Sequence, residues 1–259
     1  MLKPRTRCDS LSRSLLAGVL LLAGCADLAA GDAKDDGWKF NFTPYAWGTS
    51  LKGQVASLPG VPPAEIDVSL SDILSNLDIG LMGVGGARKG RFAVFGDLFY
   101  ANISADADTR GLLFSGADYE QKLLFASAGV SWRVLDEDDY HLSALAGLRY
   151  YHLDNELKLT GAALPTTKIN HVEDWVDPMI GLTGRVRLAP NWYASARVTT
   201  AIAGDSDTAY GLFGGIGYVF NQSLSAVAGY RYMKVDYEKG DFLFDVEMAG
   251  PTVGLAFHW

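Results

Sequence analysis

The chain has 259 residues, with 30 acidic against 22 basic side chains and a formal net charge of −8. That balance is the wrong sign for a nucleic-acid binder, which neutralises phosphates with lysine and arginine. The length admits one large all-β domain or two smaller ones, and no segment beyond the N-terminus reaches 18 consecutive apolar residues, which excludes a transmembrane helix.

The first element is a leader. Lys3, Arg5, Arg7 and Arg13 precede an apolar run from Leu15 to Leu22, too short to span a bilayer and of the length of a signal-peptide core. Leu22-Ala23-Gly24-Cys25 follows directly and resembles the lipobox of bacterial lipoproteins. The resemblance implies cleavage after residue 24 and lipidation of Cys25. Ordinary cleavage after Ala30 or Ala33, with Cys25 discarded, is the alternative. Residues 1–24 are read as the signal peptide, 25–37 as a polar tether and 38–259 as the folded domain. Loss of residues 1–24 removes four basic residues and Asp9, and moves the net charge from −8 to −11. Cys8 goes with the leader, so no cysteine pair is left for a disulfide.

Strand patterning begins at Trp38, Phe40 and Phe42, which alternate with Lys39, Asn41 and Thr43. Pro44 suits an edge or a bulge. Residues 53–76, broken by Pro59, Pro62 and Pro63, read as a long loop folded over or into the barrel mouth, with a helical turn at Ser71–Leu77. Hairpins follow: Leu77–Arg88 with Arg91–Ile103, Tyr119–Val134 with Tyr140–Leu157, His171–Leu188 with Trp192–Ile202, and Tyr210–Phe220 with Leu224–Tyr237. A last strand runs from about Phe242 to Trp259. The count is about ten strands, with eight or twelve as alternatives. Connections at 89–90, 135–139, 189–191 and 221–222 are short; those at 53–76, 104–118, 158–170, 203–209 and 238–241 are mostly longer. Short inner turns, longer outer loops and an even strand count are the pattern of outer-membrane barrels. The expectation is an all-β, antiparallel up-and-down transmembrane β-barrel in the cell outer membrane.

Alternation also sorts the faces. Arg88, Asp97, Arg149, Asp177, Arg185, Arg187, Arg197 and Arg231 recur in mid-strand on one face only. An arginine on the lipid face near the midplane costs about 2–4 kcal/mol, so these eight are assigned to a polar lumen. Tyr100, Trp132, Tyr150, Trp192, Tyr218, Phe220, Tyr230 and Trp259 stand near strand ends on the apolar face, as interfacial aromatic girdles do. Asp97, Asp177 and Glu173 are the expected partners of the buried arginines. Phe95, Phe99, Phe125, Trp175 and Tyr193 also point inward, and a barrel of this size is close to filled by side chains, so a plugged or very narrow lumen is expected.

In the last strand Val253, Leu255, Phe257 and Trp259 alternate with Thr252, Gly254, Ala256 and His258. Phe257 and Trp259 resemble the C-terminal strand signal read by the barrel-assembly machinery. Gly250-Pro251 sits where the apolar phase switches away from Phe244, Val246 and Met248, and a bulge is expected there. Phe42-Thr43-Pro44-Tyr45-Ala46-Trp47, Ser71-Asp72-Ile73-Leu74, Trp175-Val176-Asp177-Pro178-Met179-Ile180-Gly181, Gly229-Tyr230-Arg231-Tyr232, Phe244-Asp245-Val246 and Gly250-Pro251 together resemble the uncharacterised small outer-membrane β-barrel proteins of Proteobacteria. The resemblance spans residues 38–259 and brings no activity with it. A lipobox departs from that family, whose members carry an ordinary signal.

Enzymatic barrels such as omptin proteases, lipid A deacylases and palmitoyltransferases need a histidine with a carboxylate or serine partner near the outer rim. His141 and His258 lie at the opposite end. His152 and His171, with Asp154, Glu156, Glu173 and Asp174, form the one candidate cluster for catalysis or for a divalent cation. A solvated polar rim explains them better. The expectation is a non-enzymatic structural or binding barrel with no catalytic residues, metal or cofactor. A narrow passive channel is the alternative, and a rim-located lipid A hydrolase, acyltransferase or protease a more distant one. Its partners would be outer-membrane lipids and the assembly machinery.

Overall fold

The computed structural model describes residues 37–56, 62–108, 114–161 and 165–259. The expected signal peptide, Cys25 and all of the tether but its last residue lie outside them. The elements are β1 (Lys39–Trp47), β2 (Ser50–Ala56), β3 (Ala64–Val68), α1 (Leu70–Asn76), β4 (Leu77–Lys89), β5 (Phe92–Asp108), β6 (Phe114–Asp136), β7 (Tyr140–Gly161), β8 (Thr167–Ala189), β9 (Trp192–Ala201), β10 (Thr208–Asn221), β11 (Leu224–Lys239) and β12 (Phe242–His258). Neighbours pair antiparallel from β4 through to β12, and β1 pairs with both β4 and β12. The result is a closed barrel of 10 strands, as the alternation predicts.

The tenth seam is divided. The C-terminal part of β12 pairs with β1, from Asn41↔His258 to Trp47↔Thr252, and its N-terminal part pairs with β2, from Ser50↔Ala249 to Ala56↔Leu243. β1 pairs with β4 only as far as Pro44↔Gly83. Proline has no N–H to give a further ladder bond, and Pro44 stands where the two strands part. Above it, the stretch expected to be a long loop holds a β2–β3 hairpin instead, followed by the helix α1 where a helical turn was expected. Ser69 caps α1: its hydroxyl accepts from Asp72 N–H, and the Asp72 carboxylate accepts in turn from Ser69 N–H. Ile73 of α1 is buried in the barrel's core.

Two other expectations change. The outer connections are not long. β5 and β6 pair out to Asp108↔Gly116, β7 and β8 to Leu159↔Thr167, and β11 turns into β12 directly at Lys239↔Phe242. There is also no bulge at Gly250-Pro251, because β11 and β12 stay in one unbroken register from Leu224↔Phe257 to Lys239↔Phe242. The phase switch in β12 is real but needs no extra residue. Met248, Val246, Phe244 and Phe242 are buried inside, while Val253, Leu255 and Phe257 are exposed outside. The strand keeps its pleat and the surroundings change sides.

The same inversion recurs around the barrel. On β7 the outward residues run Leu142, Ala144, Ala146, Leu148, Tyr150 and then His152, Asp154, Glu156, Lys158; the buried ones run Ser143, Leu145, Arg149 and then Tyr151, Leu153, Asn155. On β11, Lys234, Asp236 and Glu238 face out above Tyr230 and Tyr232, with Met233, Val235 and Tyr237 buried behind them. Below the tyrosine level the exterior is apolar and the interior polar, as lipid requires. Above it, the strands form an ordinary water-soluble cap with a dry core. Tyr100, Tyr150, Tyr230 and Tyr232 mark the upper boundary. Trp132, Trp192, Tyr218, Phe220 and Trp259 mark the lower one, where Trp259 stacks on Phe40 of β1 at 6.1 Å.

Candidate functional site

The lumen has three levels. In the middle, side chains from strands that are not neighbours meet. Asp97 of β5 accepts from Arg231 of β11 at 3.2 Å and from the Tyr45 hydroxyl of β1 at 2.8 Å. Arg231 also donates to the Tyr45 oxygen at 2.6 Å and lies 4.8 Å from the Trp47 ring centre. Arg197 of β9 reaches the same carboxylate at 4.0 Å. Arg149 of β7 donates to Ser127 of β6 at 2.9 Å and to Thr199 of β9 at 3.4 Å. The Arg149–Ser127 bond runs along the wall between adjacent strands, whereas those of Arg231 and Arg197 to Asp97 run across the barrel and close it.

Above this level the core is aromatic. Trp47 packs on Phe99 at 5.6 Å, Phe99 on Phe125 at 5.4 Å, Phe125 on Tyr151 at 5.3 Å and Tyr151 on Trp175 at 4.7 Å. Trp175 of β8 then stacks on Tyr237 of β11 at 4.0 Å and 6°. β9 and β10 separate those two strands in the sheet, so this contact spans the lumen. The β9–β10 loop fills the remaining side. Asp177 accepts from the backbone N–H groups of Asp205 and Ser206, each at 3.1 Å, and Trp175 Nε1 donates to Ser206 at 2.9 Å. Gly204 makes this fit possible: at φ +115°, a Cβ there would sit 2.4 Å from Asp177 Oδ1.

Below the network, bulky inward rings lie over glycines of the adjacent strand. A Cβ at Gly217 would fall 2.0 Å from the Tyr193 ring, and one at Gly229 2.9 Å from Phe213. Arg185 lies over the ring of Tyr193, with its guanidinium carbon 3.4 Å from the ring centre.

All eight charged residues assigned to the lumen face inward, but they do not form one network. Asp97, Arg197 and Arg231 are joined. Arg149 bonds hydroxyls, and Asp177, although directly opposite it in the ladder, holds the β9–β10 loop instead. Glu173 takes no arginine. Burial pushes its pKa up, but hydrogen bonds from Lys239 at 2.7 Å and Tyr237 at 2.8 Å outweigh this and hold it below its ordinary value. Glu173 lies in the cap, above the membrane span. A carboxylate with a lowered folded pKa stabilises the fold above its unfolded pKa, and that contribution is lost as pH falls through the folded value. Acid unfolding of the cap is therefore expected below the usual carboxylate range. Glu173→Gln should flatten that part of the pH profile when unfolding is followed by near-UV circular dichroism.

The rim histidines are not brought together. His152 faces outward and pairs with Asp174 at 2.7 Å, an aspartate that also accepts from Tyr150. His171 faces inward, 5.4 Å from the ring of Phe242 and 3.5 Å from Glu173. The barrel wall separates them. Among the described residues no group of three or more metal-ligating side chains converges. Sequence reasoning missed Tyr45, Tyr151 and Tyr237, whose role depends on which strands face each other across the lumen. The phase switch in β12 was the available signal.

An apolar belt between two aromatic levels, wrapped around a closed barrel with a charged interior, defines an integral β-barrel of the Gram-negative outer membrane. No family model matches the chain, and no curated protein matches it. Among solved structures, the outer membrane protease OmpT from Escherichia coli is similar in fold, with a TM-score of 0.57 at 11% identity over 86% of this chain and 97% of that one. Ail, the attachment invasion locus protein of Yersinia pestis, matches at a TM-score of 0.35 and 11% identity over 86% of this chain and 99% of that one. The P. putida toluene transporter TodX matches at 0.36 and 9%, over 86% and 90%.

Proposed function

We propose that this protein is a non-enzymatic barrel with a sealed lumen and a structural or binding role at the outer membrane. The carrying observation is the pair of cross-lumen contacts, Asp97 with Arg231 and Trp175 with Tyr237. They join β5 to β11 and β8 to β11 at two heights. A path for solutes would have to break both a buried ion pair and a stacked aromatic pair. The same reading is supported by the separation of His152 from His171, so that the two rim histidines do not share one site among the described residues. Purified protein in planar bilayers should therefore show no stable single-channel conductance. Stepwise conductance that persists in independent preparations would replace this reading with the narrow channel.

A further inference from the structure

We infer that the free edge of β8 in the cap is a docking site for an extended, lysine- or arginine-bearing polypeptide segment, which adds to the sheet there as a further strand. β9 ends at Ala201, paired with Met179, and β10 begins at Thr208, paired with Asp236 of β11. β8 itself continues upward to Thr167, paired with β7 alone. Along Thr167–Trp175 the edge turned away from β7 meets no backbone partner among the described residues. The β9–β10 loop does not cover it, because Asp205 and Ser206 turn inward to Asp177 and Trp175. Alternate residues of such an edge present N–H and C=O groups to an incoming strand. Soluble sheets blunt exposed edges by keeping them short or by breaking them with a bulge or a proline. β3, the edge strand at the other seam, is 5 residues long and runs into α1. The β8 edge is not blunted in this way: its register with β7 holds from Tyr140↔Val186 to Leu159↔Thr167, and Pro178 stands below it.

The surroundings select the charge of the partner. Asp205 and Asp207 on the loop, and Asp236 and Glu238 at the upper end of β11, bound this opening and have no salt bridge among the described residues. The nearby lysines Lys168, Lys234 and Lys239 are already held by Glu156, Asp245 and Glu173. Burial and the charges of Asp245, Asp207 and Glu238 hold the Asp236 carboxyl above its ordinary value, although Lys234 opposes them. An incoming cation therefore gains at this edge, and an anion is repelled. Val172 and Val176, 44% and 40% exposed on the outward face of β8, give the added strand apolar neighbours. Main-chain bonds supply the affinity and the carboxylates the selection, as in other cases of β-strand addition. This edge gives the binding role proposed above a partner class. It does not involve the lumen, so conductance would overturn the sealed barrel and leave the edge untouched.

The probe is an end-blocked peptide of alternating lysine and threonine, as long as the free edge. Its binding to the full chain folded in maltoside micelles is followed by fluorescence anisotropy, and the contact is located by amide hydrogen exchange. Saturation should slow exchange in residues 167–175 and leave β3 unchanged. The same peptide with every backbone nitrogen methylated keeps its charge but has no N–H to donate, and should bind about tenfold or more weakly, as loss of several main-chain bonds requires. A glutamate–threonine peptide should be weaker by about tenfold or more, because its charge meets the carboxylates. Asp205→Asn together with Asp207→Asn, shown to be folded by heat-modifiable migration, should weaken the lysine peptide severalfold. No binding up to about 1 mM, equal binding of the methylated or the glutamate peptide, or binding without protection of residues 167–175 would each overturn the proposal. So would exchange in residues 167–175 that is already slow without peptide and speeds up on dilution, which would mean that a second copy of the chain covers the edge.

Discussion

Removal of Val253–Trp259 should abolish the barrel, leaving no heat-modifiable species in the outer-membrane fraction. Those residues supply nearly all of β12's pairing with β1, from His258 opposite Asn41 to Val253 opposite Ala46, and Trp259 exchanges backbone bonds with Phe40. They also pair with the start of β11, from Leu224↔Phe257 to Ala228↔Val253. Without them two strand edges are exposed at the level of the apolar belt, where each unmet N–H or C=O group costs several kcal/mol. The remainder of β12 still pairs with β2 in the cap, but this lies above the belt and cannot close it. A truncated chain that inserts and shows the normal heat shift would mean that the barrel closes through another seam.

Asp97→Ala is expected to be the most damaging single substitution in the lumen. Its carboxylate is shared by Arg231, Arg197 and Tyr45, and the side chains of Asp97 and Arg231 are only 11% and 18% exposed. Removing one partner of a buried pair leaves an uncompensated charge and costs about 3–5 kcal/mol. Replacing Asp97, Arg197 and Arg231 together by apolar residues of similar volume should recover most of that loss, because the desolvation cost disappears with the charges. Equilibrium urea unfolding in phosphatidylcholine vesicles, followed by tryptophan emission, separates the two outcomes. A loss under about 1 kcal/mol for Asp97→Ala would place the pair in the class of solvated surface bridges.

The amino-acid sequence carries the wall of this barrel and little of its contents. Period-2 alternation in Leu142–Tyr150 or Leu224–Tyr232 identifies strands and separates two faces, because the pleat sends successive side chains to opposite sides. The ten strands follow, and so does the inward placement of the arginines. Alternation does not say where the solvent changes. Phe244, Val246 and Met248 against Val253, Leu255 and Phe257 read as a slip in register, whereas they record one straight strand leaving lipid for water. For the same reason residues 104–118 and 158–170 read as polar loops: Glu120, Asp118, Glu156 and Lys158 are the outward face of strands still paired in the cap. Ion-pair partners were the least accessible feature. Arg149 is opposite Asp177 in the ladder yet does not bond it, while Asp97 and Arg231, 134 positions apart, do. Which strands meet across the lumen is a property of the closed barrel.

The central claim is that one unbent strand passes from lipid into water between Val253 and Met248. Nitroxide labels placed singly along β12 test it through their accessibility to oxygen, which partitions into lipid, and to a water-soluble nickel chelate. Labels at Val253, Leu255 and Phe257 should be reached by oxygen, labels at Leu243, Asp245 and Glu247 by the chelate, and labels at Phe244, Val246 and Met248 by neither. Lipid-type accessibility at Phe244, Val246 and Met248 would contradict the account and restore the register slip at Gly250-Pro251.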